Sequence, residues 1–328
     1  MESFRTEINI DKATSSIQYD SKLLFMGSCF ATNIGDSFYA NCFNCRVNPF
    51  GVLYNPFSIA NSLSRLLSNT HFSLDEIHQQ NGNFHSFFHH SSFNHPDRDT
   101  FLQHINTAFD DAVNFLGQAR FLLITFGTAW VYEHQESKEV VSNCHKYPSS
   151  TFHRRLLTVS EITERYSQLL QALKRMNPTL DVIFTVSPVR HWKDGAHGNQ
   201  ISKASLLLAI EQLNQKFANT TYFPAYELLM DDLRDYRFYK DDLLHPSAMA
   251  IQYIRSKFSQ SFLDDKANAF EENIHKLRRA SEHRPFNSTS EAHQKFVHQH
   301  IQKVDISQKN YPNVSLSALK NKFKDQVV

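Results

Sequence analysis

A serine where an apolar run ends is the first residue with chemistry to offer. The chain reads Phe25-Met26-Gly27-Ser28-Cys29-Phe30 at the point where a short apolar segment gives way to helical spacing. A serine on such a strand-to-helix turn holds its hydroxyl at the open edge of a sheet. Its backbone N–H sits beside a helix start, where positive partial charge accumulates. An acyl-transfer nucleophile needs both: exposure, and a donor aimed at the developing oxyanion. The plainer alternative is a serine that only caps the helix. The second element is Tyr239-Lys240-Asp241-Asp242-Leu243-Leu244-His245-Pro246. Asp242 and His245, three residues apart in a turn before a helix, can face one side. The carboxylate then fixes the imidazole tautomer while the other ring nitrogen takes a proton. Pro246 is expected at the helix start. A surface Asp-His pair is the alternative; the order, serine after the first strand and Asp-x-x-His after the last, favours chemistry.

Other reactive side chains fit less well. Gly35-Asp36-Ser37 spells a lipase-like nucleophile signature but falls about two turns into the helix after Ser28, where no backbone donor is free. Cys29 beside Ser28 is expected to turn into the packed side. Cys42 and Cys45 have zinc-ligand spacing but no second ligand pair, only the adjacent Cys144-His145. His85, His89, His90 and His95 crowd one aromatic-rich segment, 83–95, without a carboxylate or cysteine to complete a metal set. His145 is a weaker alternative base. No metal and no cofactor is expected.

The elements that must position Ser28 and His245 follow from hydrophobic spacing. Apolar runs at 22–26, 42–48, 120–126, 181–186 and 220–223 read as buried parallel strands. Helical patterns lie between them, at 33–41, 58–67, 99–116, 160–176, 202–217 and 246–262. This alternation predicts a three-layer α/β fold with a doubly wound, flavodoxin-like parallel five-stranded sheet, whose reactive groups gather beyond the strands' carboxyl ends. Beyond residue 262 the pattern turns polar, with helices at 264–283 and 288–304 and a weak one at the end. The expected division is an α/β domain at 1–262 and a polar helical C-terminal extension at 263–328, packed on the core or used in a homo-oligomer.

Composition narrows the partners. A formal net charge of +1 over 328 residues gives no field for nucleic acid or an anionic membrane. No apolar run approaches the roughly 20 residues that span a bilayer. Residues 1–7 lack a basic segment followed by an apolar one, so no signal peptide is read there and the expected compartment is the cytoplasm. Four cysteines make no disulfide framework.

The chain resembles the GSCFA family, a bacterial branch of the SGNH hydrolase superfamily. The likeness runs through Gly27-Ser28-Cys29-Phe30-Ala31, the stretch from Asn48 to Pro56, Phe126-Gly127-Thr128-Ala129-Trp130-Val131-Tyr132, Asn143-Cys144-His145-Lys146, Val186-Ser187-Pro188-Val189-Arg190-His191 and Asp242-Leu243-Leu244-His245-Pro246. The resemblance implies Ser28 as nucleophile, His245 as general base, Asp242 as its orienter and Gly51 as a second backbone oxyanion donor beside the Ser28 N–H. It also exposes a departure. The superfamily's Gly-x-Asn after the third strand is replaced by Gly127-Thr128-Ala129, so the third donor is missing unless the Thr128 hydroxyl supplies it. Arg190 and His191 are placed by strand position to contact substrate. The implied activity is serine-dependent hydrolysis of an acyl ester, such as an esterified carbohydrate or small polar conjugate. An O-acyltransferase using the same residues, or a catalytically silent binding module, is the alternative.

Overall fold

Side chains that alternate between two buried faces define the central sheet of this computed structural model, which describes residues 5–327. In chain order the strands are β1 (Leu23–Gly27), β2 (Cys45–Val47), β3 (His78–Gln80), β4 (Asn83–His85) and β5 (Phe121–Phe126). There follow β6 (Trp130–His134), β7 (Val140–Val141), β8 (Phe152–Leu156), β9 (Asp181–Val186) and β10 (Thr220–Phe223). The main sheet is entirely parallel and runs β10-β9-β5-β1-β2. The order reverses between β1 and β5, which creates a crevice beyond their carboxyl ends. This is the doubly wound, three-layer α/β architecture with a five-stranded sheet.

The helices are α1 (Cys29–Ala40), α2 (Pro56–Ser68), α3 (Arg98–Leu116), α4 (Val159–Met176) and α5 (Gly195–Lys216). A single turn α6 (Ala225–Glu227), α7 (Ala248–Phe262), α8 (Asp265–Ser281), α9 (Glu291–Asn310) and α10 (Ser317–Lys324) complete the chain. Leu24, Met26, Ile124, Phe126 and Phe184 face one layer, α2 to α5. Leu23, Phe25, Leu123, Ile183 and Phe223 face the other, built by α1 and α7 to α10. Phe270, Ile274, Val297, Val304 and Phe323 of the last three helices are buried in that second layer, so their apolar faces close the chain's own core. The polar character of 263–328 therefore describes only the outward faces. Among the described residues, no helix is long and apolar enough to cross a membrane.

Two small antiparallel additions lie outside the expected pattern. The hairpin β3-β4 turns at Asn81-Gly82, both with positive φ, the geometry a two-residue hairpin loop requires. The meander β7-β6-β8 occupies the connection between β5 and α4. Helix α7 begins at Ala248 with Ser247 as its N-cap, so Pro246 precedes the helix rather than opening it, pairing instead with Tyr239.

Candidate active site

The turn that carries Ser28 is fixed by hydrogen bonds from a distant loop. Gly27 adopts φ +137°, and its N–H donates to Asn48 Oδ1 at 2.8 Å. Asn48, itself at positive φ, donates through Nδ2 to Thr32 Oγ1 at 2.9 Å, tying the loop after β2 to the first turn of α1. Ser28 is 1% exposed and is the N-cap of α1, its Oγ accepting from the Phe30 N–H at 3.3 Å. The cap and the nucleophile position are thus the same residue. Ser37 lies in the last turn of α1, remote from this edge.

A cavity of about 630 Å³ opens beyond the β1, β5 and β9 ends and brings together Ser28, Thr128, Arg190, His191 and His245. Asp242 stands behind His245. Its Oδ2 lies 2.6 Å from His245 Nδ1, while its Oδ1 accepts the N–H groups of Leu244 and His245, each at 2.9 Å. These backbone donors, chiefly that of His245, hold the Asp242 carboxyl down at about 2, so it is a carboxylate throughout the neutral range. Leu243 at φ +59° is the strained residue that lets the turn fold back in this way. No hydrogen bond joins Ser28 Oγ to His245 among the described residues; the two share the cavity and would have to close on each other when substrate displaces water.

The groups expected around the oxyanion are differently engaged. The Gly51 N–H donates to Asn48 O at 2.7 Å, closing a turn, and a methyl on Gly51 would lie 2.3 Å from His90 Cβ. Gly51 therefore serves tight packing at φ +77° and is absent from the cavity wall; the expected oxyanion role is corrected accordingly. The Gly127 N–H donates to Tyr54 O at 2.7 Å. Thr128 Oγ1 shares a hydrogen with Ser202 Oγ at 3.0 Å and accepts from the Trp130 N–H. The Ser28 N–H itself reaches Thr125 O at 3.2 Å, a long contact. Cys29 also departs from expectation: it lines the cavity, and burial pushes its thiol up, which disfavours the reactive thiolate.

His191 is placed closer to the chemistry than its sequence position alone revealed. A methyl built on Gly127 would sit 3.4 Å from His191 Nε2 and 3.5 Å from Ser28 Cβ, so the two side chains flank the same glycine. Burial, with the nearby Lys203 charge next, lowers His191 to about 4, leaving the imidazole neutral. The His191 backbone N–H donates to Asn199 Oδ1 at 3.0 Å, and the ring meets Tyr54 edge-on.

Sequence reasoning missed Lys203. It is 1% exposed, and its Nζ donates to Gly127 O and Ser187 O, both at 2.7 Å, bridging the carboxyl ends of β5 and β9 under the site. Burial lowers it to about 7. A lysine within a helical apolar pattern carries no local mark of such a role. Trp130 and Arg154 on β6 and β8 also line the cavity, with the Arg154 guanidinium 4.1 Å from the Trp130 ring.

The histidine-rich segment is mainly interior packing. His85 stacks on His145 with ring centroids 4.2 Å apart, and His89 packs 4.6 Å from the Phe72 ring. Of the four, His90 reaches the cavity. His145 is buried with Nε2 on Ser86 O and does not line the cavity, so it is not placed as a base. Among the described residues, no group of three side chains could hold a metal. Burial pushes His85 and His145 down to about 4 and His89 to about 3. These rings are neutral when folded but bind a proton near pH 6.5 when unfolded. Stability is therefore complete above that value and is lost as pH falls toward 4, by about 1 kcal/mol per pH unit for each histidine. Urea midpoints should fall between pH 7 and 4.5, and His89→Phe should reduce that slope. A midpoint unchanged across the window would exclude these buried neutral rings.

The fold and the site together define an α/β protein of the kind that gathers a serine and an Asp-His pair at the switch point of a parallel sheet. The chain belongs to the GSCFA family, whose model matches residues 22–258, and the model described as GSCFA domain protein, C-terminal domain, matches residues 274–328. Among solved structures, it is similar to a carbohydrate esterase family 3 protein from Talaromyces cellulolyticus. That match has 12% identity and a TM-score of 0.26, over 51% of this chain and 67% of the other, a likeness too distant to bear on function. No curated protein matches the chain.

Proposed function

We propose that this protein is a serine-dependent ester hydrolase acting through an acyl-enzyme on Ser28. The observation that carries the proposal is one cavity holding both Ser28, at the end of β1, and His245, whose Nδ1 is gripped by Asp242 at 2.6 Å. In the reaction, Ser28 Oγ attacks the ester carbonyl and His245 Nε2 takes the hydroxyl proton, Asp242 having fixed the proton on Nδ1. The tetrahedral intermediate collapses as His245 returns the proton to the leaving alcohol. Water, deprotonated by the same imidazole, then releases the acid. An alcohol in place of water would make the protein an acyltransferase, and product analysis with sugar acceptors separates the two. A fluorophosphonate probe is expected to label Ser28 in the wild type; a folded protein that resists the probe overturns the proposal.

The oxyanion in this mechanism is assigned to the positive partial charge at the start of α1 and to His191 Nε2–H, which flanks Gly127 beside Ser28. His191→Phe keeps the ring and removes the donor, and is expected to lower kcat by about 10²–10³ with little change in KM. His191→Gln, which restores an N–H donor, should recover part of the loss. Equal losses in both variants would assign His191 to packing instead.

A further inference from the structure

We infer that the ester this site accepts carries an anionic group, a carboxylate or a phosphate, bound by Arg190. This rests on the hydrolase reading above, and what carries it is the charge balance of the cavity. Arg154, Arg190 and Lys193 line it against a single carboxylate, Asp194. Asp194 is already ion-paired with Arg154. Lys193 Nζ donates to Tyr132 Oη at 2.9 Å. Arg190 makes no hydrogen bond or ion pair with another described residue, and its Nε is buried without a partner.

Arg190 also lines an adjoining cavity of about 520 Å³ that runs past the Asp242–Leu244 turn. The two carboxylates there are engaged as well, Asp235 by Arg237 and Asp242 by His245. The guanidinium thus stands where two cavities meet, partly desolvated and with no acceptor from the protein. Such a charge is costly unless a ligand compensates it. Its planar fork matches two oxygens of a carboxylate or phosphate, a geometry that a lone hydroxyl cannot fill. Trp192, 54% exposed, lies beside Arg190 in both cavities, and Trp130 and Tyr132 line the first. These flat faces suit a ring, so esters of a sugar acid or a sugar phosphate fit the site better than neutral esters do.

The test is calorimetric titration of the full-length Ser28→Ala protein with inorganic phosphate, D-glucuronate and D-glucose in low-salt buffer. At least one anion is expected to bind while glucose does not, and added salt should weaken the binding. Phosphate alone points to a phosphate-bearing ester, glucuronate alone to a sugar acid. Adding Arg190→Gln should weaken the bound anion by about 10-fold or more at an unchanged melting temperature. Arg190→Lys, which keeps the charge but not the fork, should lose less. Anions that bind no better than glucose overturn the inference. So does an affinity unchanged in Arg190→Gln or, should that variant not fold, in Arg190→Lys. Because the titration needs no turnover, it is independent of the hydrolase reading. A silent Ser28 leaves an Arg190-dependent anion site standing, and an active Ser28 enzyme indifferent to anions removes only the inference about charge.

Discussion

Ser28→Ala is expected to lower kcat on p-nitrophenyl acetate by about 10⁴-fold or more, to a residual rate set by binding and the remaining donors. The size follows from removing the atom that the proposed mechanism joins to the acyl group, an effect no neighbouring group can replace. Cys29 lines the same cavity, but its thiol is pushed up by burial and sits one residue out of place. The same substitution removes the N-cap of α1, because Ser28 Oγ accepts the Phe30 N–H. A stability loss of about 1 kcal/mol should accompany the loss of activity. The two effects are separable: Ser28→Asn keeps a capping acceptor, and is expected to recover stability but not turnover. Turnover by Ser28→Ala within tenfold of the wild type would show that another residue attacks the ester.

Gly27→Ala is expected to be among the most damaging single-methyl changes in the molecule. A Cβ at this position would lie 2.2 Å from Thr125 O, a backbone atom held in the β1–β5 ladder, and φ is +137°. Neither atom can yield without parting the two central strands. Conformational strain and overpacking together should cost about 3–5 kcal/mol. Any accommodation would also shift Ser28, and a displacement of about 1 Å can cost about 10²-fold in rate. Urea denaturation and esterase assays on the same preparation check both, and an unchanged denaturation midpoint would contradict the turn geometry.

Much of the fold could be read from hydrophobic spacing because the inner strands β1, β5 and β9 are buried on both faces along almost their whole length. The 181–186 and 220–223 runs coincide with β9 and β10, and 120–126 with β5 to within a residue. The run at 42–48 was longer than the three-residue β2, since Phe43 packs in the core without joining the ladder. The meander β7-β6-β8 stayed hidden: most residues of β6 and β8 are only partly buried, so alternation is blurred by side chains such as Arg154 and Glu133 that take up ion pairs. Among the candidate site residues, the pairing of Asp242 with His245 was visible because turns have local chemistry. The donors were harder to assign. Where the Thr128 hydroxyl hydrogen goes depends on Ser202 Oγ, which meets it only across the fold, whereas the Gly51 N–H is taken up by a local turn to Asn48 O three residues back. The cavity's charge balance was hidden for the same reason, since Arg154 and Asp194 meet only in three dimensions.

Lys203 gives this arrangement a further property. An ammonium has three hydrogens to donate and a neutral amine has two, and Lys203 makes two bonds, to Gly127 O and Ser187 O. Because burial brings its proton loss to about 7, both forms exist around neutrality, and each can hold the two strand ends together. Deprotonation therefore changes the electric field beneath Ser28 and His191 without unfastening the floor they stand on. A rate that varies with pH while the shape of the pocket does not is the behaviour such a strut imposes.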